Sequence, residues 1–566
     1  MTLVAGCGDD TDLVRDIQNR RQNRAQERSQ QDHLGEMFAL LNQFIDLEPE
    51  RAQRQIAYHL NRWSESRDGD GGQVTELLKT VRDIVPPEQL QESLQSETFQ
   101  TSDVRHLRDC FLFSQLFSWI DVPELDDPLL VGWFNEKEDS WKQADVDALR
   151  TATRLFDWTV RNISLEYDVP ASPSPPGPSM PLGMKFRGAG YRQTDYQTLM
   201  RGVGDKFQRA GVFTQLCRQA GIPAAVLGTI DGKTGDVKPF CVGVLVAGEL
   251  WLFEPKLGIF VPGPGQVGIA TLSDARQDPL VLRRLGIAGL DQFTYPIKRT
   301  DVQQCAALLN VLPESLAPRM QKLQGGLTGR RRMVVHVDAD QLAKELDAVT
   351  GISSVRLWDV PLLAEVYQQV CNNYAERDPM FNFWYVARWA MMESDSEMAD
   401  NLSRGRWLHL IGRFSDIEDE NLEGARSLYL AQRKPEFEIE DLRIDVDLQL
   451  QYGIRRGLDT NSAEYDQQVA QVQTLILMGK RTATFWLSLL QADDGRTETA
   501  EGWLSKRVLD ETQPSIWTPA ARYNLARLLE TLGKTEEAIE LYKREGEPQE
   551  HGNRIRARLL ARSTAE

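Results

Sequence analysis

The sequence predicts an α+β chain, mostly helical and multidomain, with one small antiparallel sheet and a C-terminal region of α-hairpin repeats. Three observations carry that expectation. Apolar residues recur at helical spacing along most of the chain. Short β-branched and aromatic runs separated by turn residues are confined to Val226–Val261. Gly495, Ala500 and Leu504 return as Gly533, Ala538 and Tyr542, each shifted by 38 residues. A length of 566 residues points to three or four domains at roughly 150 residues each. With 41% hydrophobic and 26% charged residues, the chain has enough apolar material for several cores.

The elements follow in order. Val4-Ala5-Gly6-Cys7, with the acidic Gly8-Asp9-Asp10 behind it, resembles a bacterial lipobox. That resemblance implies a lipid-anchored or periplasmic location at the cell envelope, with Cys7 as the lipidated residue. No basic or apolar leader precedes the motif, so a cytoplasmic N-terminus is the alternative. Thr11–Gln31 holds five arginines and five glutamines with little apolar periodicity, and residues 1–33 read as a polar tether. Residues 34–145 read as a helical region: Met37, Leu40, Leu41, Phe44 and Ile45 fall at helical spacing, and Ile56, Leu60 and Trp63 continue after Pro49. Further helices are expected at Val74–Ile84, Val104–Trp119 and Val146–Ile163. Ser172–Pro181 carries five prolines and is a loop. Strands are expected at Val226–Ile230, Phe240–Val246 and Glu249–Phe253, with turns at Asp231-Gly232-Lys233 and Ala247-Gly248. Residues 266–420 read as a mostly helical connector, with helices at Leu357–Tyr374 and Phe381–Met392 and one strand at Met333–Val337.

Within 421–566 the repeated glycine stands at a turn, a small residue follows it, and a large apolar residue comes four positions later. This pattern resembles the tetratricopeptide repeat, whose small residues let helices approach closely. The resemblance implies a concave surface that binds a protein partner. Ala425, Leu428 and Tyr429 suggest an earlier hairpin without the glycine.

Residues 146–265 carry a second resemblance. Leu155–Asp168 is aromatic-rich, Leu216–Ala224 ends in Gly221-Ile222-Pro223, and Gly248–Pro255 contains Trp251 and Glu254-Pro255. In this order and spacing the three blocks resemble the transglutaminase-like, papain-like fold. There a catalytic cysteine opens a helix, where the dipole stabilises its thiolate, and a histidine and a carboxylate follow on a sheet. The family's spacing places the nucleophile at Lys206, the base at Pro239 and the orienting acid at Glu254. An ammonium and a proline cannot replace a thiolate and an imidazole, so the resemblance implies a retained frame without its chemistry. Lys206 and Glu254 are expected to face each other as an ion pair. Cys241, two residues beyond Pro239, is expected on the same strand face and is the fallback nucleophile. Cys217 is expected in the core.

Composition sets the remaining limits. Lys plus Arg is 65 against 83 for Asp plus Glu, and the net charge of −18 disfavours nucleic acid and anionic lipid as partners. No run of 18 apolar residues occurs, so no transmembrane span is expected. The six cysteines form no CxxC pair and the six histidines never pair at helical ligand spacing, so neither a disulfide framework nor a metal or other cofactor is expected. Gly258–Gly265 reads as a turn, Arg330–Arg332 as a solvated strand entrance, His336 as structural, and Leu402–Phe414 as a helix with a basic face. The function expected is a non-catalytic protein-interaction scaffold. The alternatives are a cysteine-dependent peptidase or acyltransferase with a displaced nucleophile, Cys241 or Cys217 served by His336 or His106, and a ligand-binding pseudoenzyme.

Overall fold

The computed structural model describes residues 33–65, 94–122, 125–166, 193–377, 397–420, 422–433, 439–454, 461–509 and 515–563. Cys7, the tether, the helices expected at Val74–Ile84 and Phe381–Met392 and the Ser172–Pro181 loop lie outside the described residues. The chain divides into two compact units. The first comprises Met1–Thr75, Pro86–Phe111 and Pro313–Val337, and the second Glu76–Val85, Leu112–Leu312 and Asp338–Glu566. Among the described residues no helix is long and apolar enough to cross a membrane.

In the first unit a helix over 33–42 and the helix Pro49–Glu65 bury most of the expected stripe: Met37, Leu41, Phe44, Ile56, Leu60 and Trp63 are in the core, while Leu40 and Ile45 are half-buried. Pro49 stands at the first helical position, where its fixed φ suits the helix and its missing N–H costs nothing. Part of the expected connector is built into this unit. Arg319 donates from Nε and Nη2 to the Asp103 carboxylate at 2.8 and 2.7 Å, with both side chains out of solvent. Gly326 lies where any Cβ would collide with the Trp63 ring. The strand expected at Met333–Val337 is absent, and the segment runs as irregular chain. Its backbone groups are met instead by side chains: Gln324 Nε2 donates to the Met333 carbonyl at 3.0 Å, and Gln324 Oε1 accepts from the Val335 amide at 2.7 Å.

The second unit is built on a sheet of six strands: β3 (Ala224–Ile230), β4 (Val237–Val246), β5 (Glu249–Glu254), β6 (Ile259–Phe260), β7 (Cys305–Leu309) and β8 (Ile352–Leu357). A separate parallel pair, β1 (Ser164–Leu165) and β2 (Val203–Gly204), precedes them. The spatial order is β6-β5-β4-β3-β7-β8. The sheet is mixed, which corrects the antiparallel expectation: β7 and β8 run parallel, and the chain between them includes the helices Pro318–Gly326 and Ala339–Asp347. Cys-Ala-Ala-Leu-Leu is buried along its whole length, so β7 shows none of the alternation by which a half-exposed strand is read. Because β7 and β8 come from residues 266–420, that segment completes the sheet and is not a separate helical connector.

Local chemistry explains the turns. The Asp231 carboxylate accepts from the amides of Lys233 and Thr234, closing the β3–β4 turn. Ala247 and Gly248 both take positive φ, the two-residue geometry that matches strand twist between β4 and β5. The three glycines singled out by sequence end helices in one way. Gly221, Gly495 and Gly533 are left-handed at φ +71°, +72° and +73°. Beyond each, the next amide reaches back to a carbonyl in the last helical turn: Ile222 to Cys217 at 2.9 Å, Arg496 to Gln491 and Lys534 to Leu529 at 2.8 Å.

The C-terminal hairpins are Ser462–Asp493 with Thr497–Trp503, and Thr518–Thr531 with Thr535–Tyr542, followed by the helix Glu550–Ser563. Ala500 and Ala538 are fully buried, as are Leu504 and Tyr542 to within 1%. These helices pack directly on the sheet region. A Cβ on Gly552 would come within 1.6 Å of the Leu257 carbonyl oxygen at the β5–β6 turn. Arg527 bonds Asp157 and Glu530, while Arg556 bonds Asp127 and Glu530. A buried ionic network therefore ties the hairpins to the helix Gln143–Asn162.

Candidate functional site

Lys206 opens the helix Lys206–Gln219. The positive helix end there is answered by Asp205, whose Oδ1 accepts from the Phe207 and Gln208 amides at 2.8 and 3.0 Å. Gln208 Oε1 returns the bond by accepting from the Asp205 amide at 2.9 Å, completing a capping box. The Asp-x-x-Gln spacing at 205–208 announces this cap in the sequence. Lys206 itself is half-buried, with Nζ 5.0 Å from the centroid of the Phe207 ring.

Pro239 is tolerated in β4 because β5 pairs with β4 only from Val242 onward, leaving no strand beside the proline on that side. A bulge follows. Leu227 faces Cys241 while its neighbour Gly228 faces Pro239, so Phe240 is the extra residue. Directly opposed residues share a sheet face and successive residues alternate. Cys241 and Pro239 therefore lie on opposite faces, which corrects the expectation that period-two alternation puts them together.

Phe253 packs against Phe156 and Phe213, at ring separations of 5.1 and 5.2 Å, on the helix-covered face. Its neighbour Glu254 therefore turns to the other face. Glu254 is 3% exposed, accepts from the Lys256 amide at 3.1 Å and takes a hydrogen bond from the Tyr295 hydroxyl. Burial pushes its carboxyl up to about 7, against the lowering effect of those two bonds and of the Lys206 charge. Lys206 thus acts on Glu254 through space, while the hydrogen bonds to the carboxylate come from Tyr295 and the Lys256 amide. The expected direct ion pair between Lys206 and Glu254 is not formed. Tyr295 was missed by sequence because it lies on a loop outside the motif spacing.

The thiols nearby are buried and favour the protonated form. Burial and the Glu254 charge push Cys241 well above its ordinary range, with Cys305 also facing it and no imidazole contributing. Cys305 is pushed up to about 12 and Cys217, fully buried in its helix, also upward, both by desolvation. One cysteine does meet a histidine. In the first unit Cys110 Sγ lies 3.5 Å from His106 Nε2, one helical turn away, but the pair is 5% and 6% exposed. The same nitrogen lies 2.8 Å from the Val335 carbonyl, so the imidazole is held in place by backbone. The fallback imidazole His336 sits on the irregular segment and not on a strand.

Two residues of the basic face expected at Leu402–Phe414, Arg406 and His409, are spent inside the chain, on a helix that ends at Leu410. Arg406 is buried and donates from Nε and Nη2 to the Leu199 carbonyl at 3.0 and 2.9 Å, and His409 Nε2 lies 3.0 Å from Asp493. An open site lies instead between the C-terminal hairpins. A groove of about 840 Å³ is floored by Leu525, Leu529 and Leu541 and walled by Glu501, Glu536, Glu537 and Glu540, with Lys543 and Arg544 also on its wall. Glu501 is bridged by Lys534 at 3.0 Å and Glu540 by Lys543 at 2.7 Å.

The chain matches no family model, no curated protein and no solved structure.

Proposed function

We propose that this chain is a protein-interaction scaffold whose groove between tetratricopeptide-like hairpins holds a segment of a partner protein. The groove carries the reading: leucines offer apolar anchorage, and the exposed glutamates favour a basic segment with one or two large apolar side chains. The transglutaminase-like frame serves as a platform, with Lys206, Pro239 and Glu254 standing where a thiol, an imidazole and an orienting carboxylate would act. Location at a cell envelope through lipidated Cys7 belongs to the same proposal. A photo-crosslinking residue in place of Leu541 tests it. Crosslinks to one partner, lost with Glu536→Lys/Glu537→Lys, are expected. Crosslinking that is absent, or unchanged by the charge reversal, contradicts it.

A thiol-dependent activity has one observation in its favour, the 3.5 Å approach of Cys110 to His106. Stoichiometric labelling of Cys110 in the native chain by a thiol-reactive probe would establish that reading over the first.

A further inference from the structure

His33, on the 33–42 helix, meets His59, on the helix Pro49–Glu65, within the first unit. Their Nδ1 atoms are 3.0 Å apart, with ring centroids at 5.3 Å and ring planes inclined by 49°. Both rings are half-buried and the adjacent Tyr58 is 54% exposed, so the pair is open to solvent. Two imidazole nitrogens at this separation cannot both direct bare lone pairs at each other. Either a proton lies between them or a cation does. Two imidazole ligands at about 2.0–2.1 Å from one metal ion stand about 2.9 Å apart at a right angle and about 3.4 Å apart at the tetrahedral angle. The observed separation falls inside that interval without any movement of the helices.

We propose that His33 and His59 form a two-imidazole site for a divalent transition-metal ion. Nδ1 of each ring donates a lone pair to the metal, and the proton that stood on Nδ1 of the donor ring moves through solvent to Nε2 of the same ring, so that both imidazoles bind neutral. Glu36 lies on the same helix as His33, one turn on; its charge acts on His59 as a smaller influence than burial and His33, which together hold the imidazole below its ordinary range. Among the described residues no third histidine, cysteine or acidic residue joins the pair around a metal position. Ligand type orders the ions: imidazole suits copper, nickel and zinc, with copper the tightest. The bound ion would staple the 33–42 helix to Pro49–Glu65.

The test is titration of the full chain with copper(II), and separately with zinc, in a non-coordinating buffer. One copper per chain is expected, with an electron paramagnetic resonance spectrum showing two nitrogen ligands, and zinc is expected to raise the unfolding temperature. His33→Ala and His59→Ala should each lower copper affinity at least tenfold and abolish the zinc effect, with helix content by circular dichroism unchanged. His336→Ala and His551→Ala should bind as the wild type does. Equal copper affinity in the wild type and both pair variants, or a spectrum without two nitrogens, overturns the proposal.

Discussion

Glu254 is a carboxyl whose surroundings set it apart from the orienting acid that the sequence resemblance implies. A carboxylate that orients a catalytic imidazole must be ionised, yet here burial raises the group from 4.5 to about 7 and Tyr295 covers it. The folded chain holds the Glu254 proton over a range where the unfolded chain has released it, so stability falls as pH rises from about 4.5 to about 7 and levels off above. Glu254→Gln keeps the acceptor for Tyr295 and removes the titration. Urea unfolding from pH 4.5 to 8 should show the wild type losing up to about 3 kcal/mol relative to the variant across that window. A constant difference between the two would show that Glu254 does not titrate there. Cys241 makes the same point about reading: alternation in the sequence assigned it to Pro239's face, and a single bulged residue, Phe240, moved it to the other.

At the scale of elements, legibility followed local chemistry. The central three strands, the helices flanking them and the repeated hairpins were all readable, because each is announced within a few residues by a period, a cap or a turn glycine. Gly221, Gly495 and Gly533 are the plainest cases. β7 and β8 were not readable: one is a short, wholly buried run and the other is mostly half-exposed, and each is a strand only because its sheet neighbour is already in place. Met333–Val337 erred the opposite way, since a β-rich composition there finds no partner strand. The Ala247-Gly248 turn yields a prediction. Ala247 is exposed and held at φ 54°, which costs a residue with a Cβ about 1–2 kcal/mol, less what glycine loses in unfolded-state entropy. Ala247→Gly should stabilise the chain by about 0.5–1 kcal/mol in chemical denaturation, whereas a loss would show that the turn does not require the left-handed form.

On the scale of the molecule, the second unit joins what the sequence divides. Asp127, Asp157, Arg527, Glu530 and Arg556 form one buried network running from the helix Gln143–Asn162 to the C-terminal hairpins. Breaking such a network from one side is costly because the remaining charges lose their partners. Arg527→Met should cost about 3–5 kcal/mol, and it should unfold the sheet and the hairpins together in one transition. Separate transitions would show that the hairpins are an independent appendage. The second unit carries the groove lined by leucines and glutamates on a chain of net charge −18, and the binding role proposed for it predicts that acidic segments are disfavoured. The most direct test is to pan displayed random peptides against the full chain and measure the selected sequences by fluorescence anisotropy. We predict peptides rich in lysine and arginine around a large apolar residue, with affinity falling about tenfold or more on Glu536→Lys/Glu537→Lys and unaffected by Lys206→Ala. Selection of no consensus, or binding that survives the charge reversal undiminished, would contradict the account.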